Sequence, residues 1–329
     1  MAYVPKTFSG ASNGNGTGNG YHRVSEFALK EQMCEIGRRI WHKGFCAGNE
    51  GNHSYRIGPD RILCTPTGIS KGFLKPDDIC TVDMEGKQTS GKRKRTSEIL
   101  MHLAIYKARP DVKAVVHSHP PHATAFAVAG VELPTCIHPE AEVFLGAVKT
   151  AKYVTPGDTR LGESLLPYVK DSNTILLQNH GTVTYDVDLE GAYYKLEIVD
   201  AYSRILLLAK QIGSIRPLDG GEMKELLELK QKFGLDEPRL KDGGKNFTCS
   251  TDFISRVGGD VATRGRMVTE TGATAPSPHT CKCHAEPPGA GSSGIEQAIS
   301  ALAPDVQNLS ADDIETLVQT ITDQIMASV

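Results

Sequence analysis

Three histidines lie at the ends of two short apolar segments, and their spacing suits a metal site. His117 and His119 are two residues apart, so on a β-strand both side chains point to the same face. His180 follows the apolar run 174–177, which breaks at Gly181. Three imidazoles that converge on one point suit a catalytic Zn²⁺, which takes three protein ligands and keeps one position open for substrate or water. A surface strand pair with an unrelated loop histidine is the alternative interpretation.

A carboxylate, Glu98, stands near the start of the segment 97–108, whose apolar spacing predicts a helix. At a helix N-terminus a carboxylate is often only a favourable partner of the helix dipole, or part of a cap. Beside a metal ion the same group can take and return a proton. Glu98 is therefore a candidate acid/base, with capping as the alternative.

Two turns and one helix start combine glycine with hydroxyl or amide side chains, a composition that can cradle an anion. Backbone N–H groups in such turns and at the start of a helix bind phosphate, although the same residue types are common in all turns. The candidate phosphate-binding residues are Gly51, Asn52, Thr67, Gly68, Thr96 and Ser97.

The elements that must position these residues alternate between helical and strand-like periods. Apolar spacing predicts helices over 25–43, 97–108, 121–129 and 189–211, and strands over 112–117 and 174–177. Strands flanked by helices on both sides indicate an α/β protein with a three-layer α/β/α domain. The pattern does not give the order of the strands in the sheet.

Composition divides the chain of 329 residues into four segments. We expect a flexible leader over 1–21, a globular domain over 22–237, a disordered linker over 238–293 and an amphipathic helical tail over 294–329. The 36 Lys and Arg nearly balance the 39 Asp and Glu, which argues against nucleic acid as a partner. No apolar stretch approaches the roughly 20 residues of a membrane span, and we expect no secretory signal. The scattered cysteines favour reduced thiols in a cytosolic setting over a disulfide framework.

The motifs occur in a characteristic order: G-N-x-S at 51–54, T-P-T-G at 65–68, T-S-E at 96–98, H-x-H at 117–119 and N-H-G at 179–181. In this order they resemble the class II (zinc-dependent) sugar-phosphate aldolase and epimerase superfamily, and most closely the L-fuculose-phosphate aldolases. The resemblance covers residues 22–237.

This resemblance implies one Zn²⁺ per subunit on His117, His119 and His180, with Glu98 as the acid/base and phosphate on the six residues named above. It implies cleavage of L-fuculose 1-phosphate or L-rhamnulose 1-phosphate to dihydroxyacetone phosphate and lactaldehyde. Zn²⁺ would stabilise the enediolate charge as a Lewis acid, and in the reverse direction Glu98 would remove the proton. A homotetramer with active sites between subunits is also implied.

Two positions depart from the pattern of the aldolases that the sequence resembles, in which tyrosines protonate the aldehyde oxygen or shape its pocket. His138 and Phe233 stand where these tyrosines are expected. His138 is a candidate catalytic proton donor, with a structural role as the alternative. Glu140 is similar to a glutamate of the sugar-phosphate dehydratases in this superfamily, so a dehydratase is one alternative. A pentulose-phosphate 4-epimerase is another, but the resemblance at Glu98 favours the aldolases over the epimerases. A non-catalytic scaffold is a further alternative, against which the intact triad argues.

The tail 294–329 repeats apolar residues at helical spacing, such as Ile314, Leu317, Ile321 and Ile325. A helix of this kind on a long linker either packs back on its own domain or binds a partner. Linker and helix together resemble the encapsulation peptides of bacterial microcompartments. The resemblance implies a shell protein as partner and a cytoplasmic location in the lumen of such a compartment. Within the linker, the donors of 279–284 lack the spacing of strong structural zinc sites.

Overall fold

The computed structural model describes residues 25–235, 249 and 253–254. All of them belong to the first of two units into which the chain divides, residues 1–264. The predicted leader, the tail and nearly all of the linker, including 279–284, lie outside the described residues. The predicted domain boundaries therefore stay predictions.

A mixed sheet of eight strands forms the middle layer of the domain. The strands are β1 (Asn52–Gly58), β2 (Arg61–Cys64), β3 (Cys80–Val82), β4 (Gln88–Ser90), β5 (Ala114–Ser118), β6 (Lys149–Ala151), β7 (Thr174–Leu177) and β8 (Gly181–Asp186). They lie in the order β4-β3-β2-β1-β5-β8-β7-β6. Neighbouring strands are antiparallel, except that β6 and β7 are parallel. This order places β5 between β1 and β8, so that residues distant in sequence become neighbours.

The described part of the chain contains six α-helices. They are α1 (Glu26–His42), α2 (Ile99–Ala108), α3 (Pro121–Ala129), α4 (Thr159–Val169), α5 (Leu189–Ile212) and α6 (Gly220–Lys232). The four predicted helices correspond to α1, α2, α3 and α5, and their ends agree within two residues. Ser25 caps α1 and Asp188 caps α5 with side-chain hydrogen bonds. Among the described residues, no helix has the length and apolar character that a membrane span needs.

Two hydrophobic clusters lie on opposite faces of the sheet. Along β5, Val115 belongs to the cluster formed with α2 and α4, whereas Ala114 and Val116 belong to the cluster formed with α1 and α5. This alternation follows from the two-residue period of a strand. Helices on both faces confirm the predicted three-layer α/β/α fold. His117, two residues after Val115, faces the α2 side, where that helix begins after Glu98.

A disulfide joins Cys136 to Cys249, with Cα atoms 5.7 Å apart. Nearby, Phe253 is buried and its ring lies 5.1 Å from the ring of Phe126. At these positions the segment predicted to be linker packs on the domain, because Phe253 adds an aromatic ring to the apolar cluster under α3 and α5. The expected reduced thiols are found at Cys34, Cys46, Cys64 and Cys80. The same expectation is wrong for the disulfide pair, whose separation of 113 residues gives no spacing signal.

Candidate metal centre

The three predicted histidines meet at one point. His117 lies on β5, His119 follows that strand, and His180 lies in the turn between β7 and β8. His117 pairs with Val183 of β8, which brings the β7–β8 turn beside the end of β5. One ligand nitrogen of each ring lies within 4.8 Å of the other two. The imidazoles therefore converge as a metal site requires.

The orientation of the rings fits a tetrahedral cation. Nδ1 of His117 donates a hydrogen bond of 3.0 Å to the backbone carbonyl of Thr182, which leaves the lone pair on Nε2. An outer hydrogen bond of this kind is usual for metal-binding histidines. Nε2 of His119 lies 3.3 Å from Nε2 of His117. At Zn–N bond lengths of about 2.0–2.1 Å, two ligands of a tetrahedral ion lie roughly 3.3 Å apart, so His117 and His119 have the spacing of two zinc ligands.

Burial favours the neutral form of these histidines. Desolvation lowers the pKa of His117 well below its ordinary value of 6.5, and the neighbouring His119 and His180 lower it further. Desolvation is also the main cause of the lowered pKa of His119 and of the lowered pKa of His180. Because metals bind neutral imidazole, the site is prepared for a cation at neutral pH.

The turn that carries His180 needs a left-handed backbone conformation at Asn179 and a residue without a Cβ atom at Gly181. Asn179 adopts a φ of 54°, a left-handed conformation that asparagine tolerates better than most residues. Gly181 approaches β5 so closely that a Cβ atom there would lie 2.5 Å from Cδ2 of His119 and 2.7 Å from the carbonyl oxygen of Ser118. The N-H-G motif is therefore needed for the shape of this turn as well as for its imidazole.

Glu98 lies beside the triad and does not act as a helix cap. It occupies the N-cap position of α2, but its side chain makes no capping hydrogen bond. Oε2 lies 3.4 Å from Nε2 of His117, and Oε1 lies 3.5 Å from Nε2 of His180. Oε1 is also buried and has no hydrogen-bond partner among the described residues. A carboxylate oxygen in this position can take a proton from a substrate bound at the triad.

A buried chain of hydrogen bonds leads away from Glu98. Nδ2 of Asn52 donates to Oε2 of Glu98 at 2.8 Å, and Oδ1 of Asn52 lies 2.6 Å from Nε2 of His102. Nδ1 of His102 lies 2.8 Å from Oγ of Ser54. Sequence reasoning missed His102 and Ser54, although signals exist. His102 is four residues after Glu98 on one helix face, and Ser54 is two residues after Asn52 on one strand face.

The six candidate phosphate-binding residues lie in three adjacent segments. Thr67 N–H donates to the Lys94 carbonyl at 3.0 Å, and Thr96 N–H donates to the Thr65 carbonyl at 3.1 Å. The side chain of Thr65 also accepts a hydrogen bond from β1, beside Asn52. The exposed members of the set are Thr67, Gly68 and Ser97. Asn52 keeps a second amide proton beyond the one given to Glu98. Phosphate binding stays a prediction for all six residues.

Lys71 is a buried cation that ties two of these segments together. Its exposure is 1%, and its Nζ donates to the carbonyl of Asn49 at 2.6 Å and to that of Ile69 at 2.8 Å. Desolvation lowers the pKa of Lys71 to about 8, while anionic neighbours such as Glu50 act in the opposite sense. A positive charge therefore stands beside the turns that would hold phosphate. Sequence reasoning missed it because a lysine in a turn is ordinarily solvated.

His138, the second predicted catalytic residue, lies beside Glu140 and Tyr202. Its Nδ1 lies 3.3 Å from Oε2 of Glu140, and its ring centroid lies 5.9 Å from that of Tyr202. Phe233 ends α6 as its C-cap residue. Catalysis by His138 stays a prediction, with a structural role as the alternative.

Comparison with known proteins agrees with this geometry. Residues 31–207, more than half of the chain, match the family described as the Class II Aldolase and Adducin N-terminal domain. The chain belongs to this family. The predicted superfamily is thereby confirmed.

Individual relatives of this class II aldolase domain carry two activities in their names. An L-fuculose phosphate aldolase of Methanocaldococcus jannaschii is 35% identical over 179 residues, which cover 54% of this chain and 96% of the relative. A 3-oxo-tetronate 4-phosphate decarboxylase of Haemophilus influenzae is 32% identical over 207 residues, which cover 62% of this chain and 98% of the relative. A solved structure of an L-fuculose 1-phosphate aldolase matches with a TM-score of 0.58 and 28% identity, over 63% of this chain and 96% of the other. The protein is therefore an enzyme of the lyase class, and the scaffold alternative is set aside.

Proposed function

We propose that this enzyme catalyses Zn²⁺-dependent retro-aldol cleavage of a deoxy-ketohexose 1-phosphate to dihydroxyacetone phosphate and lactaldehyde. The observation that carries the proposal is the position of Glu98. Its Oε1 lies 3.5 Å from Nε2 of His180, is buried, and has no hydrogen-bond partner among the described residues. The relatives named L-fuculose phosphate aldolase support this substrate class. L-Fuculose 1-phosphate and L-rhamnulose 1-phosphate are the two candidate substrates.

Cleavage breaks the C3–C4 bond and leaves its electron pair on the three-carbon fragment as an enediolate. His117, His119 and His180 would hold the cation, which would supply Lewis-acid stabilisation of negative charge on the substrate oxygens. Glu98, which takes up a proton from solvent before each cleavage, delivers it from Oε1 to C3, and in the reverse direction the ionised carboxylate removes that proton. The C4 hydroxyl must lose its proton as the aldehyde forms, and His138 is the candidate acceptor.

The three turn segments anchor the phosphate in this proposal. Backbone N–H groups at Gly51 and Gly68, with the hydroxyls of Thr67 and Ser97, suit a phosphate dianion. The buried charge of Lys71, which bridges two of these segments, favours the same ligand. Anchoring the phosphate holds C3 at a fixed distance from Glu98, which lowers the entropic cost of proton transfer.

A substrate panel tests the proposal. Zinc-loaded enzyme is incubated with L-fuculose 1-phosphate and with L-rhamnulose 1-phosphate, and release of dihydroxyacetone phosphate is measured, with Glu98→Gln as the control. Release from either sugar supports the aldolase. Conversion of a pentulose 5-phosphate to its 4-epimer, or loss of water from a sugar phosphate, without any release of dihydroxyacetone phosphate, would contradict it.

Decarboxylation of a 3-oxo-tetronate 4-phosphate is the second candidate. It is favoured by the relative that matches 62% of this chain and bears that name. Loss of CO₂ from a 3-oxo acid also breaks a carbon–carbon bond and leaves the same kind of enediolate for Glu98 to protonate. It forms no aldehyde, so it needs no tyrosine where His138 stands. Release of CO₂ from that substrate, with no activity on the two ketose phosphates, would favour this reaction.

We further propose that the enzyme is a homotetramer and that residues 294–329 carry it into a bacterial microcompartment by binding a shell protein. The support is the family resemblance for the tetramer, and for the tail the linker followed by apolar residues at helical spacing. A short helix with one apolar face gains stability when that face is buried in a partner.

A further inference from the structure

His102 stands in the middle of the buried chain of hydrogen bonds that begins at Glu98. Asn52, Ser54, His102 and Tyr106 are between 0% and 4% exposed. His102 is outside the triad and lies on α2. Buried polar groups are costly unless each donor meets an acceptor. The chain must therefore have a consistent order of donors and acceptors.

The carboxylate of Glu98 fixes that order. When Glu98 is ionised, Oε2 can only accept, so Asn52 must present Nδ2 to it at 2.8 Å. Oδ1 of Asn52 then faces Nε2 of His102 at 2.6 Å, and this Nε2 must carry a proton. Nδ1 of His102 is left to accept from the hydroxyl of Ser54 at 2.8 Å. His102 is thus the neutral Nε2–H tautomer.

The surroundings of His102 support this form. Desolvation lowers its pKa to about 3, and the nearby His117 acts in the same direction. The hydroxyl of Ser54 lies 2.8 Å from that of Tyr106, which in turn lies 3.2 Å from the carbonyl of Lys113. Because Ser54 gives its proton to His102, the hydroxyl of Tyr106 donates to Ser54 and forms the outer end of the chain, whose inner end meets Glu98.

We propose that His102 is a positioning residue. Its Nε2–H holds the amide of Asn52, so that Asn52 occupies Oε2 of Glu98 and leaves Oε1 as the atom that exchanges a proton with the substrate. The proton transfer rests on the proposed function, whereas the hydrogen-bond order does not. Without His102, Oδ1 of Asn52 is left buried without a partner, and the amide can move away from Oε2 of Glu98 to find one. A catalytic group displaced by about 1 Å can lose on the order of 10²-fold in rate.

Crystal structures of the zinc-loaded enzyme test the hydrogen-bond order directly. In His102→Leu we expect the Asn52 Nδ2 to Glu98 Oε2 contact of 2.8 Å to be lost. In His102→Gln the side-chain amide supplies a donor to Asn52, and the contact should remain. His53→Leu is the matched control, because His53 is equally buried and adjacent to Asn52 but contacts the carbonyl of Met33 instead. An unchanged Asn52–Glu98 contact in His102→Leu overturns the proposal.

Exchange of the dihydroxyacetone phosphate proton with D₂O tests the consequence. His102→Leu should lower kcat by about 10- to 100-fold with little change in KM, and His102→Gln should recover most of it. Because His102 acts through Asn52, adding His102→Leu to Asn52→Ala should cause no further loss. His53→Leu should keep kcat within about twofold even where it lowers the melting temperature.

The two measurements separate this inference from the proposed function. If the wild-type enzyme exchanges no proton, the proposed function fails, and the crystal structures still decide whether His102 holds Asn52 and Glu98. If exchange occurs but the losses from His102→Leu and Asn52→Ala multiply, His102 does not act through Asn52 and the inference is overturned.

Discussion

Nε2 of His119 faces Nε2 of His117 across 3.3 Å, although the hydrogen bond from His117 Nδ1 to the backbone leaves a lone pair on that nitrogen. Oε2 of Glu98 approaches the same nitrogen at 3.4 Å. Acceptors that face one another in a buried site repel unless a cation or a proton lies between them. A metal cation shared by these atoms would relieve the repulsion, and the neutral imidazoles that the lowered pKa values favour are the form that binds metal.

Loss of any one ligand should therefore empty the site. We expect His117→Ala, His119→Ala and His180→Ala each to lose stoichiometric zinc and to lose activity, because two imidazoles hold the ion too weakly. Zinc content after dialysis, measured by plasma emission, checks the first point, with His122→Ala as a histidine control outside the triad. Full activity of a metal-free His180→Ala enzyme would contradict the assignment.

Glu98→Gln should separate catalysis from metal binding. The amide keeps the size of the side chain but cannot take a proton, so we expect full zinc content, an unchanged melting temperature and a rate lower by about 10²–10⁴-fold. Steady-state kinetics of the zinc-loaded variant measures this. Normal turnover would mean that the base lies elsewhere, with Glu140 as the next candidate.

Gly181→Ala should damage the metal site through packing alone. A Cβ there meets the His119 ring at 2.5 Å and a backbone oxygen at 2.7 Å, so either β8 or His119 must move. We expect zinc affinity to fall by at least tenfold, on the order of the loss seen when the support of a metal ligand is disturbed. Gly213→Ala is the matched control, because its Cβ meets nothing within 4 Å. Equal zinc affinity in the two variants would show that the close approach is not needed.

Zinc should stay bound below the pH at which ordinary histidines release it. Protons compete with the metal, so affinity falls as pH drops through the pKa values of the free site. Three histidines with a pKa of 6.5 would lose on the order of 10³-fold in affinity between pH 7.5 and 5.5. Burial lowers the pKa values of His117, His119 and His180, so we expect a much smaller loss over this range. Competition with a chelator at each pH measures it, and a full 10³-fold loss would contradict the role of burial.

Deletion of 294–329 should leave an active tetramer, because every motif of the metal site lies upstream. The same segment fused to an unrelated protein should carry it to the shell, and Ile314→Glu with Ile321→Glu should abolish this targeting without changing the kinetics. Fluorescence microscopy of the fusion and size-exclusion chromatography of the truncated enzyme are the measurements. Loss of the tetramer or of activity on truncation would mean that the helix packs on its own domain.

The fold could be predicted where local pattern and tertiary packing agree. α1, α2, α3 and α5 have clear apolar spacing, and α1 and α5 begin at capping side chains. The sheet order could not be predicted, because the pairing of β5 with β1 and β8 depends on contacts between distant residues. The disulfide was missed for the same reason, since Cys136 and Cys249 are 113 residues apart.

The metal ligands of the site could be predicted from the sequence, whereas the buried residues that hold neighbouring groups in place could not. His117, His119 and His180 carry a two-residue strand spacing and a glycine turn that any reader of the sequence can see. Lys71 carries no such signal, and His102 has only its spacing from Glu98 on one helix face. Burial is what makes these two side chains fixed partners of other groups, and the sequence does not show it. Their contacts with the Asn49 carbonyl and with Asn52 join segments that the sequence separates by 22 and 50 residues.

The most direct test of the central claim is exchange of the dihydroxyacetone phosphate proton with D₂O, followed by NMR without any aldehyde present. It reports the step that the triad and Glu98 perform together, whichever aldehyde the enzyme releases. We predict rapid stereospecific exchange by the zinc-loaded enzyme, and none above background by the metal-free enzyme or by zinc-loaded Glu98→Gln. Exchange at the wild-type rate without metal, or in Glu98→Gln, would contradict the account.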